Sequence, residues 1–381
     1  MNKLEILNYR YVASLDAHKR TYTAKIVDTK TDKVLFHSGI IGDINEVIKR
    51  FELLKLTKTD TMVIYEAGCI GYYPFKILKS KGYQCLIIAP SSIPRNNSKK
   101  KTDKKDCAKN LQYHLSGLLS YVNVPDEKTE HLRELNRYRD GLVDRIRKQK
   151  QLITAFTLRH GHIFTGTKNE WSVAHIKWLK GLKFPEPLQS VFCNLFEEFE
   201  SIKERLTKVE KELENQVKLN PEISNRVYAY KILPGFGKIV ATTIALECGD
   251  FKRFKRPINV PSFLGLVPGK QQSDKSDPAL AITKEGNELA RRMFITASKM
   301  YGDRRCLYSE KEINAMPPIL KSFLKKIQDR LNERYRYLKS RGKHVNKVRC
   351  AIAREMSMFL WEYTIDIIPH IDSEVVLKLA A

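Results

Sequence analysis

The sequence predicts an α/β + α chain, with a mixed sheet covered by helices first and mostly helices after it. Three observations carry this reading. Short apolar runs of strand type alternate with helical spacing over the first third. A long heptad seam occupies the middle. Beyond it, glycine and proline punctuate helical segments. At 381 residues the chain is too long for one ordinary core, so two or three domains are expected.

The first elements follow in order. "YVASLDAHKRTYTAKIVDTKTDKVLFHSG" holds three strand-like runs. The first ends at Leu15 and Asp16; the second, Thr21 to Val27, precedes the turn signal "DTKTDK". Asp43 to Leu54 has helical spacing at Ile44, Val47, Phe51 and Leu54. "TMVIYEAG" is a buried-strand run ending at Glu66. A helix from Gly71 to Lys81 and the strand "QCLIIAP" complete a mixed or parallel sheet covered on its faces.

Acids fall at the ends of these elements. Asp16 and Glu66 each end a strand, where a side chain meets a crevice and not the core. Asp103 and Asp106, in "NNSKKKTDKKDCAKN", are three apart and share a helix face. Taken singly, each acid is equally an ordinary surface or capping residue. Four converging carboxylates would repel one another unless cations lay between them. Mg²⁺, with Mn²⁺ as the substitute ion, takes oxygen ligands and leaves positions open for phosphate. Two such ions can stabilise both the attacking and the leaving oxygen of a phosphoryl transfer. The neighbouring Lys99, Lys100, Lys101, Lys104 and Lys105 suit a nucleic-acid backbone.

Charge points the same way. The formal net charge is +25, which asks for a polyanionic partner, with a membrane surface as the competing reading. No apolar run is long enough to span a bilayer, and no apolar signal-peptide core lies near Met1. The seven cysteines (Cys69, Cys85, Cys107, Cys193, Cys248, Cys306 and Cys350) form no C-x-x-C pair, as expected of reduced thiols in a cytoplasm.

"SLDAHK", "YEAGCIGYYPFKILKSKGYQCLIIAPS" and "KTDKKDCAKN" resemble the RNase H/RuvC-like nuclease domain of DEDD transposases of the insertion-sequence one-ten family, relatives of the Piv-type DNA invertases. The resemblance implies that Asp16, Glu66, Asp103 and Asp106 are catalytic metal ligands. It also implies a prokaryotic, nucleoid-associated protein.

The middle reads as helical. From Leu132, apolar positions recur at Leu135, Leu142, Ile146, Ile153 and Phe156, opposite Arg137, Arg145, Arg147, Lys148 and Lys150. In "VFCNLFEEFESIKERLTKVEKELENQV", Phe192, Leu195, Phe199, Ile202, Leu206, Val209 and Leu213 alternate spacings of three and four. The seam either packs within its own chain or pairs protomers. Family resemblance favours a coiled-coil insert and a homo-oligomer, dimer or tetramer. His160 and His162 in "RHGHIF" read as a turn and not as metal ligands, since partner ligands are missing nearby.

The third region carries a second signature. "KILPGFGKIVATTIALECGDFKRF" reads as a helix-hairpin-helix turning at Pro234-Gly235-Phe236-Gly237, where backbone amides at Gly235 and Gly237 suit a phosphate. "PSFLGLVPGKQQSDKSDPALAITKEGNELARRMFITA" resembles the same family's C-terminal transposase domain. There a nucleophilic serine follows a "GL-x-P" segment and precedes "I-[ST]-K-x-G-N". The matching residues are Gly265, Leu266, Pro268, Ser273, Ile282, Lys284, Gly286, Asn287 and Arg291, the resemblance placing Lys284, Asn287 and Arg291 at nucleic acid. Asp274 stands where family members usually have glycine, Ala290 where leucine is usual, and Ser276 is a rival nucleophile. The tail "KKIQDRLNERYRYLKSRGKHVNKVRCAIAREMSMFLWEYT" is helical and basic, with Met356, Phe359, Leu360 and Trp361 read as core.

The expected organisation is a nuclease domain with its trailing helix over 1–155, a helical insert over 156–222 and a transposase domain over 223–381. The expected activity is cutting and rejoining DNA at the ends of a mobile element through the acids and Ser273. No helix-turn-helix or zinc finger is evident to read bases. The resemblance implies instead a structured guide RNA from the element itself. A junction-resolving nuclease and a non-catalytic scaffold are the alternatives.

Overall fold

The computed structural model describes residues 9–94, 102–166, 170–269, 281–302, 308 and 310–380. They form two compact units, divided after Pro125.

The first unit is built on a five-stranded mixed sheet in the order β3-β2-β1-β4-β5. Its strands are β1 (Tyr11–Ala17), β2 (Thr21–Asp28), β3 (Lys33–Ile41), β4 (Thr61–Glu66) and β5 (Gln84–Ile88). The first three form an antiparallel meander, while β4 runs parallel to both β1 and β5. Parallel neighbours need crossovers. These are α1 (Ile44–Leu53), capped by the Asp43 side chain, and α2 (Tyr73–Ser80). A further helix, α3 (Asp103–Leu115), follows the last strand.

The sheet separates two apolar layers, because alternate residues of a strand point to opposite faces. Ala13, Leu15, Val63 and Tyr65 bury against Ile44, Val47 and Phe51 of α1 and Leu78 of α2. Val12, Met62 and Ile64 bury against Leu111 of α3 and Leu119. The same period carries Asp16 and Glu66 to the α3 face. The expected strands and helices of this unit are all present, ending within a few residues of the sequence reading.

The second unit is helical. Its long helix α4 (Glu127–Arg159) is followed by α5 (Val173–Gly181) and α6 (Leu188–Lys218). Arg139 near one end of α4 pairs with Glu210, and Gln149 farther along donates to the Leu195 carbonyl, so α4 and α6 run antiparallel. The heptad seam is covered by this packing within the chain. Phe192, Phe199, Ile202 and Leu213 are buried, and Leu195, Leu206 and Val209 half-buried. At the far end Ile153, Phe156, Leu179 and Phe184 join Phe192 and Phe196 in an aromatic cluster. His160 ends α4 against Phe156, and the turn that follows brings His162 onto Phe184.

Helices α7 (Pro221–Lys231) and α8 (Lys238–Cys248) form the hairpin expected from "LPGFG", with Val240–Cys248 wholly buried. The remaining helices are α9 (Asn259–Phe263), α10 (Glu288–Ala297), α11 (Glu310–Ala315), α12 (Pro318–Ser340), α13 (Val345–Glu362) and α14 (Ser373–Ala380). Met356 and Leu360 are buried, and Phe359 and Trp361 pack against the same core. No helix among the described residues is long and apolar enough to cross a membrane. The six described cysteines are unpaired thiols; Cys306 lies outside the described residues.

One buried group in the first unit titrates within an accessible range. His114 of α3 is fully buried, its Nδ1 2.7 Å from the Tyr121 hydroxyl and its Nε2 without a partner among the described residues. Burial pushes its imidazole down to about 4. The unfolded chain therefore binds this proton first as pH falls, so stability drops between the ordinary histidine value of about 6.5 and about 4. The predicted loss across that window is about 3 kcal/mol at most. Hydrogen exchange of the α3 amides at pH 7 and pH 4.5 should show it, and His114→Gln should flatten the difference. An equal pH dependence in His114→Gln would assign the effect elsewhere.

Candidate active site

Asp16 occupies the end of the central strand. In the β1–β4 pairing Leu15 lies opposite Tyr65, so Asp16 and Glu66 follow at adjacent strand ends. On the other side Asp16 lies opposite Thr23 of β2. The first turn of α3 is anchored at this point. The buried Cys107 thiol donates to the Thr23 carbonyl at 3.0 Å. Burial pushes that thiol up to about 12, so it serves as packing and not as a nucleophile. The anchor holds Asp103 and Asp106 over the strand end. Both acids lie in the first turn of α3, where negative charge complements the helix dipole.

A histidine that the sequence reading passed over joins them. His18 Nε2 lies 3.5 Å from Asp16 Oδ2 and 3.6 Å from Asp103 Oδ2. One donor atom from each of Asp16, His18 and Asp103 falls within 4.8 Å of the others. The signal was present, since His18 is two residues past Asp16 and so on the same strand face. Burial pushes the Asp16 carboxyl above its ordinary value; His18 pulls it down, and Asp103 and Asp106 push it up again. Asp106 thus belongs to the same electrostatic group. Glu66 is exposed at its neighbouring strand end. Lys104 and Lys105 are exposed beside the acids, with the Lys104 carbonyl 3.1 Å from His37 Nε2. Lys99, Lys100 and Lys101 lie outside the described residues.

The second signature folds into a stem. Pro268 and Ile282 form an antiparallel bridge. Gly269 donates to the Ala281 carbonyl at 3.0 Å, Thr283 to Val267 at 2.9 Å and Lys284 to Gly265 at 3.1 Å. This stem bounds residues 270–280. Ser273, Asp274 and Ser276 belong to that segment and lie outside the described residues.

The motif glycines are explained by how closely the two backbones approach. A Cβ on Gly265 would stand 2.2 Å from the Glu285 carbonyl oxygen, and one on Gly286 2.1 Å from that of Phe263. Both also adopt positive φ, +63° and +113°. Lys284 is exposed at the bend, itself at φ +58°. Arg291 is buried, its Nη1 donating to the Leu264 carbonyl at 2.9 Å and the Lys284 carbonyl at 3.1 Å. Asn287 caps α10 through its Oδ1 and donates from Nδ2 to Glu247 Oε2 at 2.7 Å. Glu247 is itself buried, and Arg137 holds both its oxygens, at 2.8 and 3.0 Å. In this structure Asn287 and Arg291 brace the stem from within. Gly235 likewise sits tight, its absent Cβ leaving room for the Ala297 carbonyl, while Gly237 is exposed at the start of α8.

Comparison with known proteins agrees with both signatures. A family model for DEDD transposases of the IS110 type matches residues 13–160, and one for the IS116/IS110/IS902 transposase family matches residues 230–307. The candidate transposase y4qE of Sinorhizobium fredii is 32% identical over 330 residues, covering 85% of this chain and 78% of its own. The chain belongs to the IS110 family of transposases. The transposase for insertion sequence element IS1533 of Leptospira borgpetersenii is 30% identical, covering 62% of this chain and 69% of its own. That for IS1328 of Yersinia enterocolitica is 23% identical, over 83% and 89%.

A DEDD transposase implies a divalent metal, and the residues of this one fit it. Oxygen and nitrogen ligand atoms of Asp16, His18 and Asp103 lie within 4.8 Å of one another, a donor set that suits a hard divalent ion. Of the four expected acids, Asp16 and Asp103 fall in this cluster of possible ligand atoms, whereas Glu66 and Asp106 stand nearby without joining it.

The stem of the transposase yields a stability prediction. Gly286→Ala should destabilise by about 3 kcal/mol, lowering the Tm of the helical unit by roughly 6–12 °C. Gly237→Ala, with open space around it, should change stability by no more than about 1 kcal/mol. The three tryptophans all lie in this unit, so their fluorescence reads it directly. Equal Tm values for the two variants would refute the close-approach argument.

Proposed function

We propose that this transposase cuts and rejoins DNA at insertion-sequence ends and at the target, using a divalent ion, Mg²⁺ or its substitute Mn²⁺, at the acid site and Ser273 as nucleophile. The observation that supports it best is the gathering of Asp16, Asp103 and Asp106 at one end of the central strand. A bound divalent ion would supply charge to the attacked phosphate and the leaving oxygen. The protein's part is to hold the acids ionised and close, against their repulsion. Ser273 Oγ forms a new bond to phosphorus, its proton passing to a base, while the phosphorus–oxygen bond of one strand breaks and that oxygen takes up a proton. The phosphoserine keeps one ester bond in place of another, so the strand can be resealed to a new partner.

We also propose that a structured RNA encoded by the element directs site choice. The net charge of +25, with Lys104 and Lys105 exposed at the acid site, supports a large nucleic-acid surface. The family resemblance supports RNA as part of it. The protein would then act among nucleic acids; a homo-oligomer rests on the family resemblance alone, since the heptad seam is covered by α4 of the same chain.

Two experiments test these readings. Asp106→Asn and Glu66→Gln should each reduce cleavage of end-labelled element-junction DNA by at least about 100-fold, with binding little changed. Ser273→Ala should lose a protease-sensitive DNA adduct and still bind DNA, while Ser276→Ala keeps activity. Cleavage without an adduct in the parent protein would favour a hydrolytic resolving nuclease. For the RNA, the protein is purified from cells carrying the whole element and its co-purifying RNA sequenced. Recombination on naked DNA by protein alone, with no element RNA enriched, would refute guidance.

A further inference from the structure

We propose that His18 is a nitrogen ligand of the metal at the acid site, and that it gives the site a preference for Mn²⁺ over Mg²⁺. This rests on reading Asp16, Glu66, Asp103 and Asp106 as the metal-holding acids.

The geometry of His18 is fixed by the hairpin. Its backbone N–H donates to the Thr21 carbonyl at 3.0 Å, continuing the β1–β2 ladder past the Ala17–Tyr22 pair. The side chain therefore cannot swing to the other sheet face without breaking register. It is held on the face of Asp16, under the first turn of α3. Its Nε2 stands 3.5 and 3.6 Å from carboxylate oxygens of Asp16 and Asp103. These separations exceed ordinary hydrogen-bond length. They are close to the roughly 3.0–3.4 Å between neighbouring ligand atoms around an ion with bonds of about 2.1 Å.

The position is also open to an ion from solvent. The side chains of His18 and Asp103 are 52% and 59% exposed, whereas Asp16 is 26% exposed. A site made only of carboxylates suits Mg²⁺, which is reluctant to exchange water for nitrogen. An imidazole among the carboxylates shifts preference toward transition ions, of which Mn²⁺ also accepts carboxylate oxygen.

Mn²⁺ itself is the probe. It is titrated into the full-length protein and followed by electron paramagnetic resonance, with spin-echo modulation reporting nitrogen coupling. The native protein should show histidine-nitrogen coupling. His18→Ala and His18→Gln should each lose it and bind Mn²⁺ about tenfold or more weakly, while Mg²⁺ affinity read by competition changes by less than about threefold. Asp16→Asn should lose both the coupling and the tight ion, which separates this site from any stray histidine. Mn²⁺ bound by the native protein without nitrogen coupling, or unchanged in both His18 variants, overturns the proposal and leaves the acid site standing. Failure of the native protein to bind Mn²⁺, or native-like binding by Asp16→Asn and Asp103→Asn, overturns the acid-site reading and this proposal with it.

Discussion

Like charges gathered at one strand end set the terms for the first unit. Two unit charges 4 Å apart near a protein surface interact by about 4 kcal/mol. Side chains free to move would swing apart before accepting that repulsion. The fold denies Asp16 this freedom by placing it on the central strand, hydrogen-bonded on one side to β2 and on the other to β4. It denies the same freedom to α3 by burying Leu111 under the sheet and tying Cys107 to the carbonyl opposite Asp16. The positive end of the α3 dipole offsets part of the cost at Asp103 and Asp106. What remains is an Asp16 carboxyl raised above its ordinary value, first by burial and then by Asp103 and Asp106, with His18 offsetting part of it.

The helical unit meets a different constraint, the approach of two backbones. Gly265 and Gly286 let the chain before residue 270 and the chain after residue 280 touch without side chains between them. Carbonyls turned inward by that contact need donors, and Arg291 supplies one guanidinium nitrogen to two of them. The buried Glu247 carboxylate needs partners in turn, since an unpaired buried charge is strongly destabilising. Arg137 from α4 and Asn287 from α10 provide them, linking the long helix to the stem. The residues that make this signature recognisable thus fix where the segment bearing Ser273 leaves the core and returns to it.

This division explains what was legible in the sequence. Strand β4 could be ended at Glu66 because the apolar run Met62–Tyr65 stops there and Gly68 lies two residues on. Asp103 and Asp106 could be put on one helix face because spacing alone decides it. The two-residue spacing put His18 on the face of Asp16, but its approach to Asp103, far away in sequence, was not legible, because one histidine after an aspartate is common. The bracing by Asn287 and Arg291 was hidden for the same reason. A polar residue in a bend looks alike whether it faces solvent or a buried Glu247 forty residues earlier. The heptad seam showed that an apolar stripe existed, while the partner, α4 of the same chain, is a matter of tertiary packing.

Charge has to be read with the same care. Among the arginines of α4, Arg133 and Arg137 serve the buried end of α8, and Arg139 is paired with Glu210. In the tail, Arg330 and Arg334 share Glu355, and Lys326 pairs with Glu362. Pairing removes one acid for each base, so the excess of +25 is untouched by any number of internal pairs. That excess must sit on side chains such as Lys104, Lys105, Arg145 and Lys148, which face solvent. Their mutual repulsion opposes folding of the isolated chain and is relieved by a polyanion. On the proposed reading, substituting a bracing arginine should weaken nucleic-acid binding by loosening the scaffold, whereas substituting an exposed lysine should weaken it through the field alone. Only the second effect should scale with salt as released counterions do.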